Sequence, residues 1–361
     1  MMRVRALRCL PNQLTRLRSV SVNRERTVAG RIEYAIVLNI PVSQSNIMAR
    51  ALARVHAGRH RKYPTREGRC PPAPFIVGSP RSGTTLLRMM LDSHSQIAIP
   101  PETGFLPHTL TNLFGSDERR RHALMARLVN FPRRAPGWQD FGLTPQLLLQ
   151  ELSGVTPFRL DEGLRCFYRA YAARFGKTRW GDKTPSYGAH MRVIEHLLPE
   201  ARFIHIIRDG RDVALSLRTL WFSPGIDMRT LARKWRRDIG AIRNEASHCR
   251  WYLELRYESL VRDPQRTLKE VCAFIDIDYD ADMTHYHLRA PSRLAEHGAR
   301  VRNDGLTLVS RAERLAQQRL LLHPPDPTRI SRWKTDMPER DRREYESVAG
   351  DLLAALGYEC R

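Results

Sequence analysis

The 361-residue sequence contains no apolar run long enough to cross a membrane, which takes about 20 residues. The arginine-rich N-terminus also lacks the apolar core of a signal peptide, so we expect a cytoplasmic protein. The six cysteines are scattered without a C-x-x-C pair, which argues against a disulfide framework and a zinc site. No other metal-ligand spacing is present, and we expect no metal.

Lysine is also scarce, since only six of the 60 basic residues are lysines. The basic residues outnumber 38 acidic ones and give a formal net charge of +22, which first suggests nucleic-acid binding. No zinc spacing or interleaved aromatic pattern supports that function, so we do not expect it. The preference for arginine over lysine predicts a bacterial source with a GC-rich genome.

More than half of this excess charge lies in residues 1–70, which carry a net charge of +12. We therefore predict a basic N-terminal arm at 1–73 and a domain at 74–361. The domain is expected to contain a helical insertion at about 104–180 and a closing segment at about 325–361. The arm either keeps the protein soluble or binds nucleic acid, anionic lipid or another protein, and the sequence leaves these alternatives open.

Short apolar segments alternate with amphipathic segments along this domain. Strands are predicted at 74–78, 201–207 and 251–257. Helices are predicted at 84–93, from about 212 to 221, at 264–275 and at 338–356, and the stretch 143–175 is largely helical. This alternation is typical of βαβ units and predicts an α/β fold around a mostly parallel sheet.

The first predicted strand leads through Gly78-Ser-Pro-Arg-Ser-Gly83 into a helix. The N-terminus of a helix offers unpaired N–H groups and the positive end of the helix dipole, so this loop is a predicted phosphate site. The two glycines allow the backbone to approach the anion closely. The side chains expected to bind the anion are the guanidinium of Arg81 and the hydroxyls of Ser82, Thr84 and Thr85.

This loop differs from the NTPase P-loop, G-x-x-x-x-G-K-[ST]. Gly78, Gly83 and Thr85 are in register, but Thr84 stands at the lysine position and the cation is Arg81. Because the NTPase lysine reaches the β- and γ-phosphates, its absence argues against ATP or GTP hydrolysis. A P-loop kinase or NTPase-like nucleotide-binding protein remains the main alternative, and a non-enzymatic basic binding module is another.

The run Pro80 to Leu86 resembles the 5′-phosphosulfate loop of sulfotransferases that use 3′-phosphoadenosine 5′-phosphosulfate (PAPS). Together with Leu91-Asp-Ser-His94 and Pro101-Glu-Thr103, it is similar to tyrosylprotein sulfotransferases and related bacterial sulfotransferases. The resemblance covers about residues 74–335. It implies a P-loop-like three-layer α/β fold, PAPS as cosubstrate, and in-line transfer of a sulfuryl group to a hydroxyl without a metal.

A second motif follows the second predicted strand, where Arg208 is separated by eight residues from Ser216 near the start of the next helix. Ligands of doubly wound sheets bind beyond the carboxyl ends of the strands, so both side chains are expected beside the first loop. Asp209 or Asp212 is expected to cap the helix. The pair resembles the 3′-phosphate motif of sulfotransferases, which implies that it binds the ribose 3′-phosphate; a structural Arg–Asp pair is the alternative.

Sulfuryl transfer needs a base for the acceptor's proton and cations beside the leaving phosphate. By resemblance to the tyrosylprotein enzymes, Glu102 is the base, while Lys183 and Arg81 stabilise the leaving phosphate. The alternatives are a solvent-exposed glutamate and a lysine in a surface loop. Other sulfotransferases use a histidine as base, and the nearby histidines are His94, His108 and His205.

The run Arg329 to Lys334 resembles the C-terminal cofactor-closing segment, which implies that Arg329, Arg332 or Lys334 contacts the nucleotide. Tyr257 either stacks near the adenine or is a buried strand tyrosine.

The acceptor is not encoded in a readable motif, so a small molecule, carbohydrate, lipid or peptide hydroxyl all fit. A homodimer is compatible with the sequence.

Overall fold

The computed structural model describes residues 70–108, 115–130, 137–301 and 305–360, so all but the last four residues of the predicted arm lie outside it. The strands are β1 (Ala73–Val77), β2 (Ile97–Ala98), β3 (Arg179–Trp180), β4 (Asp182–Lys183), β5 (Ala201–Ile207), β6 (Tyr252–Arg256), β7 (Arg300–Val301) and β8 (Thr307–Val309). The helices are α1 (Thr84–Asp92), α2 (Asp117–Asn130), α3 (Pro145–Ser153), α4 (Leu160–Ala173), α5 (Met191–Leu197), α6 (Gly210–Leu217), α7 (Met228–Ala246), α8 (Tyr257–Arg262), α9 (Pro264–Phe274), α10 (Tyr286–Leu294), α11 (Arg311–Gln317), α12 (Trp333–Asp336) and α13 (Glu339–Ala355). None of these helices combines the length and apolar character that a membrane span requires.

The central sheet has the strand order β4-β1-β5-β6, and each neighbouring pair is parallel. Strand β1 is buried along its whole length and pairs with β5 from Ala73 opposite Ala201 to Val77 opposite His205. Continuous apolar strands of this kind are typical of a parallel sheet covered by helices on both faces. The predicted α/β fold with a central, mostly parallel sheet flanked by helices is therefore confirmed.

The carboxyl ends of these strands meet at one edge of the sheet because the strands run parallel. Strand β1 leads into the loop 78–83, and β4 ends at Lys183. Arg208 follows β5, and Tyr257 follows β6. Four segments that are far apart in the sequence thus come together at this edge.

The local structure differs from the sequence-based expectation at three places along this edge. The third predicted strand ends at Arg256, and Tyr257 begins a short helix instead. The helix after Arg208 ends at Leu217 rather than Trp221, so Ser216 lies near its end and not near its start. No glycine, asparagine or proline directly follows Leu217 to mark this helix end.

Lys183 is the third difference, because it lies in a short strand that was not predicted; its burial also rules out the alternative of a lysine in a surface loop. Strand β4 has two residues, which is too short to show an alternating pattern. It pairs with the middle of β1, where Lys183 lies opposite Ile76. The predicted helical insertion contains α2, α3 and α4, and residues 109–114 and 131–136 of it lie outside the described ranges.

Helix α1 carries two buried ionic side chains, Arg88 and Asp92, that hold the segment leading to Glu102. Asp92 accepts from the backbone N–H of Ile99 at 2.7 Å, and Arg88 Nε donates to the carbonyl of Ile99 at 2.9 Å. Arg293 from α10 pairs with Asp92 at 2.6 Å. Both backbone polar atoms of Ile99 are therefore fixed three residues before Glu102.

Replacing Arg293 tests the importance of this buried pair. Arg293→Met should lower the free energy of unfolding by about 3–5 kcal/mol, because it leaves the buried Asp92 carboxylate without its cation. Arg340→Met is the control, since Arg340 is 87% exposed and its pair with Glu344 contributes about 1 kcal/mol or less. Urea unfolding measures both variants, and equal losses would contradict the account.

Candidate active site

The loop between β1 and α1 has the backbone geometry of an anion cradle. Gly83 precedes α1 and provides no side-chain cap, so the first N–H groups of the helix remain available. A Cβ atom on Gly83 would lie 2.4 Å from the Tyr257 ring, and one on Gly78 would lie 2.7 Å from the carbonyl oxygen of Ile206. Arg81 has a positive φ of 70°, which is uncommon outside tight turns.

The structure brings the two anion motifs of the sequence together. Nε of Arg81 donates to Oγ of Ser216 at 3.0 Å, and Arg208 donates to the Arg81 carbonyl at 3.4 Å. The Arg208 guanidinium also lies 4.3 Å from the centre of the Tyr257 ring. Burial, and then the positive charge of Arg208, lowers the pKa of Arg81. Two guanidinium groups this close together favour the binding of an anion.

Two buried donor atoms at this edge have no hydrogen-bond partner within the described part of the chain. They are Oγ of Ser82 and Nε of Arg208. Leaving a buried donor unpaired is unfavourable, and a ligand that supplies an acceptor would remove the penalty. Thr84 is buried at the start of α1, directly after this loop, and Thr85 Oγ1 lies 3.4 Å from Nζ of Lys183.

Glu102 and Lys183 form an ion pair with Oε1 and Nζ 2.6 Å apart. The Lys183 side chain is buried, whereas 42% of the Glu102 side chain remains exposed and can meet a molecule from solvent. Burial by surrounding protein would raise the pKa of Glu102, but the charge and hydrogen bond of Lys183 hold it below its usual value. Burial lowers the pKa of Lys183, and Glu102 opposes that shift.

A group of buried hydroxyls and one carboxylate lies beside this pair; its members are Thr103, Tyr168, Asp182, Thr184 and Tyr187, and we refer to it as the hydroxyl cluster. Thr103 donates to Asp182 at 2.6 Å, and Tyr168 donates to the same carboxylate oxygen at 2.8 Å. Burial raises the pKa of Asp182 to about 6, although hydrogen bonds from the hydroxyls oppose the shift. The sequence contains one signal for this cluster: Thr103 is next to Glu102 in the chain, and Asp182 and Thr184 are next to Lys183.

A further cation near Glu102 was also not apparent from the sequence. Arg300 in β7 is half-buried, and burial followed by the charge of Arg314 lowers its pKa to about 10. Arg314 is itself paired with Asp140 at 2.7 Å. The positive charge of Arg300 in turn helps to lower the pKa of Glu102, after the larger effect of Lys183.

Two of the three histidines considered as bases, His94 and His205, have roles in the fold. In His94, Nε2 lies 2.9 Å from the carbonyl of Asp278, and Nδ1 accepts from the N–H of Gln96. His205 is fully buried within β5, and burial lowers its pKa to about 4. The side chain of His108 lies outside the described part of the chain.

The backbone of the predicted closing segment forms hydrogen bonds with side chains of the second anion motif and its helix. Arg208 donates to the carbonyl of Arg329 at 2.7 Å. Asp212 accepts from the N–H groups of Ser331 and Trp333, both at 2.9 Å. Asp209, as predicted, is the capping residue of α6. The segment is therefore attached to the same helix that carries Ser216.

The cationic side chains of the closing segment have carboxylate partners of their own. Arg332 pairs with Asp336 one helical turn later. Lys334 pairs with Glu359 at 2.5 Å. The nucleotide contacts predicted for Arg332 and Lys334 stay predictions.

A sequence model of the sulfotransferase family matches residues 72–281, and the chain belongs to this family. Protein-tyrosine sulfotransferase 1 of Danio rerio is 26% identical over 85% of this chain and 78% of its own length. Protein-tyrosine sulfotransferase 2 of Gallus gallus is 26% identical over 80% of this chain and 70% of its own. The predicted family is thereby confirmed, and the matched range includes both anion motifs, Glu102 and Lys183.

Two solved structures share the fold. The sulfotransferase domain of the Synechococcus PCC 7002 olefin synthase has a TM-score of 0.52 and 23% identity, covering 83% of this chain and 100% of that domain. The sulfotransferase domain from the curacin biosynthetic pathway has a TM-score of 0.51 and 22% identity, covering 81% of this chain and 100% of that domain.

Proposed function

We propose that this protein transfers the sulfuryl group of PAPS to a hydroxyl acceptor. The observation that carries the proposal is the contact of Arg81 with Ser216 beside Arg208, which joins the two anion motifs into one site. PAPS has phosphate groups at both the 5′ and the 3′ positions of its ribose, whereas the phosphates of ATP form a single chain. A site with two adjacent guanidinium groups and unpaired buried donors suits two separate anionic groups.

PAPS supplies the sulfuryl group when it is bound, and the residues of this chain would hold it at both ends. Those proposed for the 5′ end are Arg81, Ser82, Gly83, Thr84 and Thr85. Arg208 and Ser216 are proposed to bind the 3′-phosphate, with Tyr257 and Arg332 beside the nucleoside. The unpaired Oγ of Ser82 and Nε of Arg208 provide one free donor for each phosphate.

Glu102 is proposed as the general base and Lys183, with Arg81, as the cation beside the leaving phosphate. The ion pair keeps Glu102 ionised at neutral pH, but a carboxylate with a lowered pKa is a weak base. Lys183 also lies near Thr85, at the start of α1 beside the loop proposed for the 5′ end. An anion in that loop competes with Glu102 for the Lys183 ammonium, and this competition raises the pKa of Glu102 toward its working range.

The proposed acceptor is a hydroxyl, and the tyrosine side chain of a protein is the first one to test. The relatives that this chain resembles are protein-tyrosine sulfotransferases. A phenol has a pKa of about 10 and is therefore protonated at neutral pH. Transfer of the sulfuryl group to its oxygen benefits from a base that takes the proton as the new S–O bond forms.

Replacing Glu102 tests the proposed function. Glu102→Gln should lower kcat for transfer from labelled PAPS to a tyrosine peptide by about 10²- to 10⁴-fold, because the amide cannot accept the proton. Its affinity for 3′-phosphoadenosine 5′-phosphate (PAP), measured by calorimetry, should stay unchanged. Glu270→Gln, on the exposed side of α9, is the matched control. Unchanged turnover would exclude Glu102 as base, and a wild-type chain that transfers no label to any hydroxyl would contradict the function.

Replacing Lys183 tests the electrostatic coupling of the ion pair. In Lys183→Met the pKa of Glu102 should rise, because burial then acts without the opposing positive charge. The base works when deprotonated, so the acidic limb of the kcat/KM profile should move to higher pH while the maximum falls. Lys269→Met, an exposed lysine of α9, should leave the profile in place. An acidic limb that does not move in Lys183→Met would show that Lys183 does not control the base.

A further inference from the structure

We infer that Thr103 is a positioning residue, whose hydrogen bonds in the hydroxyl cluster hold Glu102 and Lys183 at the separation that the transfer reaction uses. The inference rests on the proposed function, because it assigns a purpose to residues behind the proposed base. The cluster belongs to neither anion motif, although Thr103 directly follows the proposed base in the sequence.

The first argument is the place of the cluster in the chain. Thr103 directly follows Glu102, while Asp182 and Thr184 directly precede and follow Lys183. The Thr103 hydroxyl donates to Asp182 at 2.6 Å, and the Thr103 backbone N–H donates to Thr184 Oγ1 at 3.0 Å. Because adjacent Cα atoms have a fixed separation, joining these neighbours fixes the backbones that carry Glu102 and Lys183.

The second argument is that the hydrogen bonds assign a direction to the protons of Thr103, Tyr168 and Tyr187. The one proton of the Thr103 hydroxyl is used toward Asp182. Tyr187 accepts from the N–H of Leu106 at 3.0 Å, so its own proton points to Thr103 Oγ1, 2.7 Å away. Tyr168 donates to Asp182 at 2.8 Å. A connected network of directed hydrogen bonds holds its members more rigidly than separate hydrogen bonds would.

The third argument is the contrast in burial. The members of the cluster are at most 3% exposed, and Tyr168 is further held by stacking on Trp180 with a 4.5 Å separation between the ring centroids. In contrast, Glu102 is half-exposed, and within the described ranges the hydrogen-bond partners of Lys183 Nζ are Glu102 and, at 3.4 Å, Thr85. The rigidity of the reacting pair therefore comes from the cluster beside it.

The kinetic test compares two replacements of Thr103. Thr103→Val keeps the shape but removes the hydroxyl, so kcat should fall on the order of 100-fold through misplacement of the reacting groups. The KM for a tyrosine peptide and the PAP affinity should not change. Thr103→Ser keeps the hydroxyl and should restore most of kcat.

Thr267→Val is the matched control for loss of a buried threonine hydroxyl. Thr267 in α9 is buried, and its hydroxyl donates to the carbonyl of Asp263 at 2.9 Å, outside the site. This variant should lose thermal stability without losing kcat. If Thr103→Val does not fold, Tyr187→Phe removes the neighbouring donor to Thr103 and is measured instead.

The second readout does not depend on catalysis. The chain has six lysines, so ¹⁵N-lysine labelling gives a small set of side-chain signals, and Lys183→Arg assigns the signal of Lys183. Glu102 supports the protonated form of Lys183. The titration midpoint of Lys183 should therefore fall in Thr103→Val, where the ion pair is looser, and return in Thr103→Ser.

An unchanged kcat with an unchanged Lys183 midpoint in Thr103→Val would overturn the inference. The inference would also be overturned if Thr267→Val lost as much kcat as Thr103→Val. It would likewise be overturned if Thr103→Ser did not restore the kcat that Thr103→Val loses. A wild-type chain that neither binds PAP nor transfers a sulfuryl group would instead contradict the proposed function, and the lysine titration would still test the positioning by Thr103.

Discussion

The parallel pairing of β1 with β5 is the constraint on which the site depends. Because Val77 lies opposite His205, the two strands leave the sheet side by side and in the same direction. The loop after β1 can then place Arg81 against Ser216, 135 residues away in the sequence. A shift of the pairing, or an antiparallel partner, would separate the two anion motifs. The buried Gly78 of the loop depends on the same pairing, since it approaches the backbone of β5.

Charge has two distinct uses in this protein. Buried arginines such as Arg293 and Arg314 are paired with carboxylates and join segments of the fold. Arg81 instead contacts Ser216, and Arg208, although it pairs with Asp212 at 3.5 Å, keeps a buried Nε without a partner among the described residues. The net charge of +22 does not distinguish these uses. The difference follows from which guanidinium donors the fold itself satisfies, and that is a property of the folded chain.

The sequence predicted the parts of the fold and site that local patterns define. Strands β1 and β5 are apolar runs, and the loop at Arg81 has a characteristic order of residue types. The hydroxyl cluster could not be predicted in this way, because Thr103 and Asp182 are joined by tertiary structure across 79 residues. The helix end after Ser216 and the two-residue strand at Lys183 were missed because neither has a local signal. The roles of the site residues remain proposals.

The central claim is that one nucleotide with separate 5′- and 3′-phosphates binds across both motifs, and calorimetry tests it most directly. The wild-type chain is titrated with PAP and with adenosine 5′-phosphate, which differ by the 3′-phosphate. Charge-assisted hydrogen bonds from Arg208 and Ser216 should make PAP bind about 10- to 100-fold more tightly. That difference should disappear in Arg208→Met. Equal affinities of the wild-type chain for the two nucleotides would contradict the account.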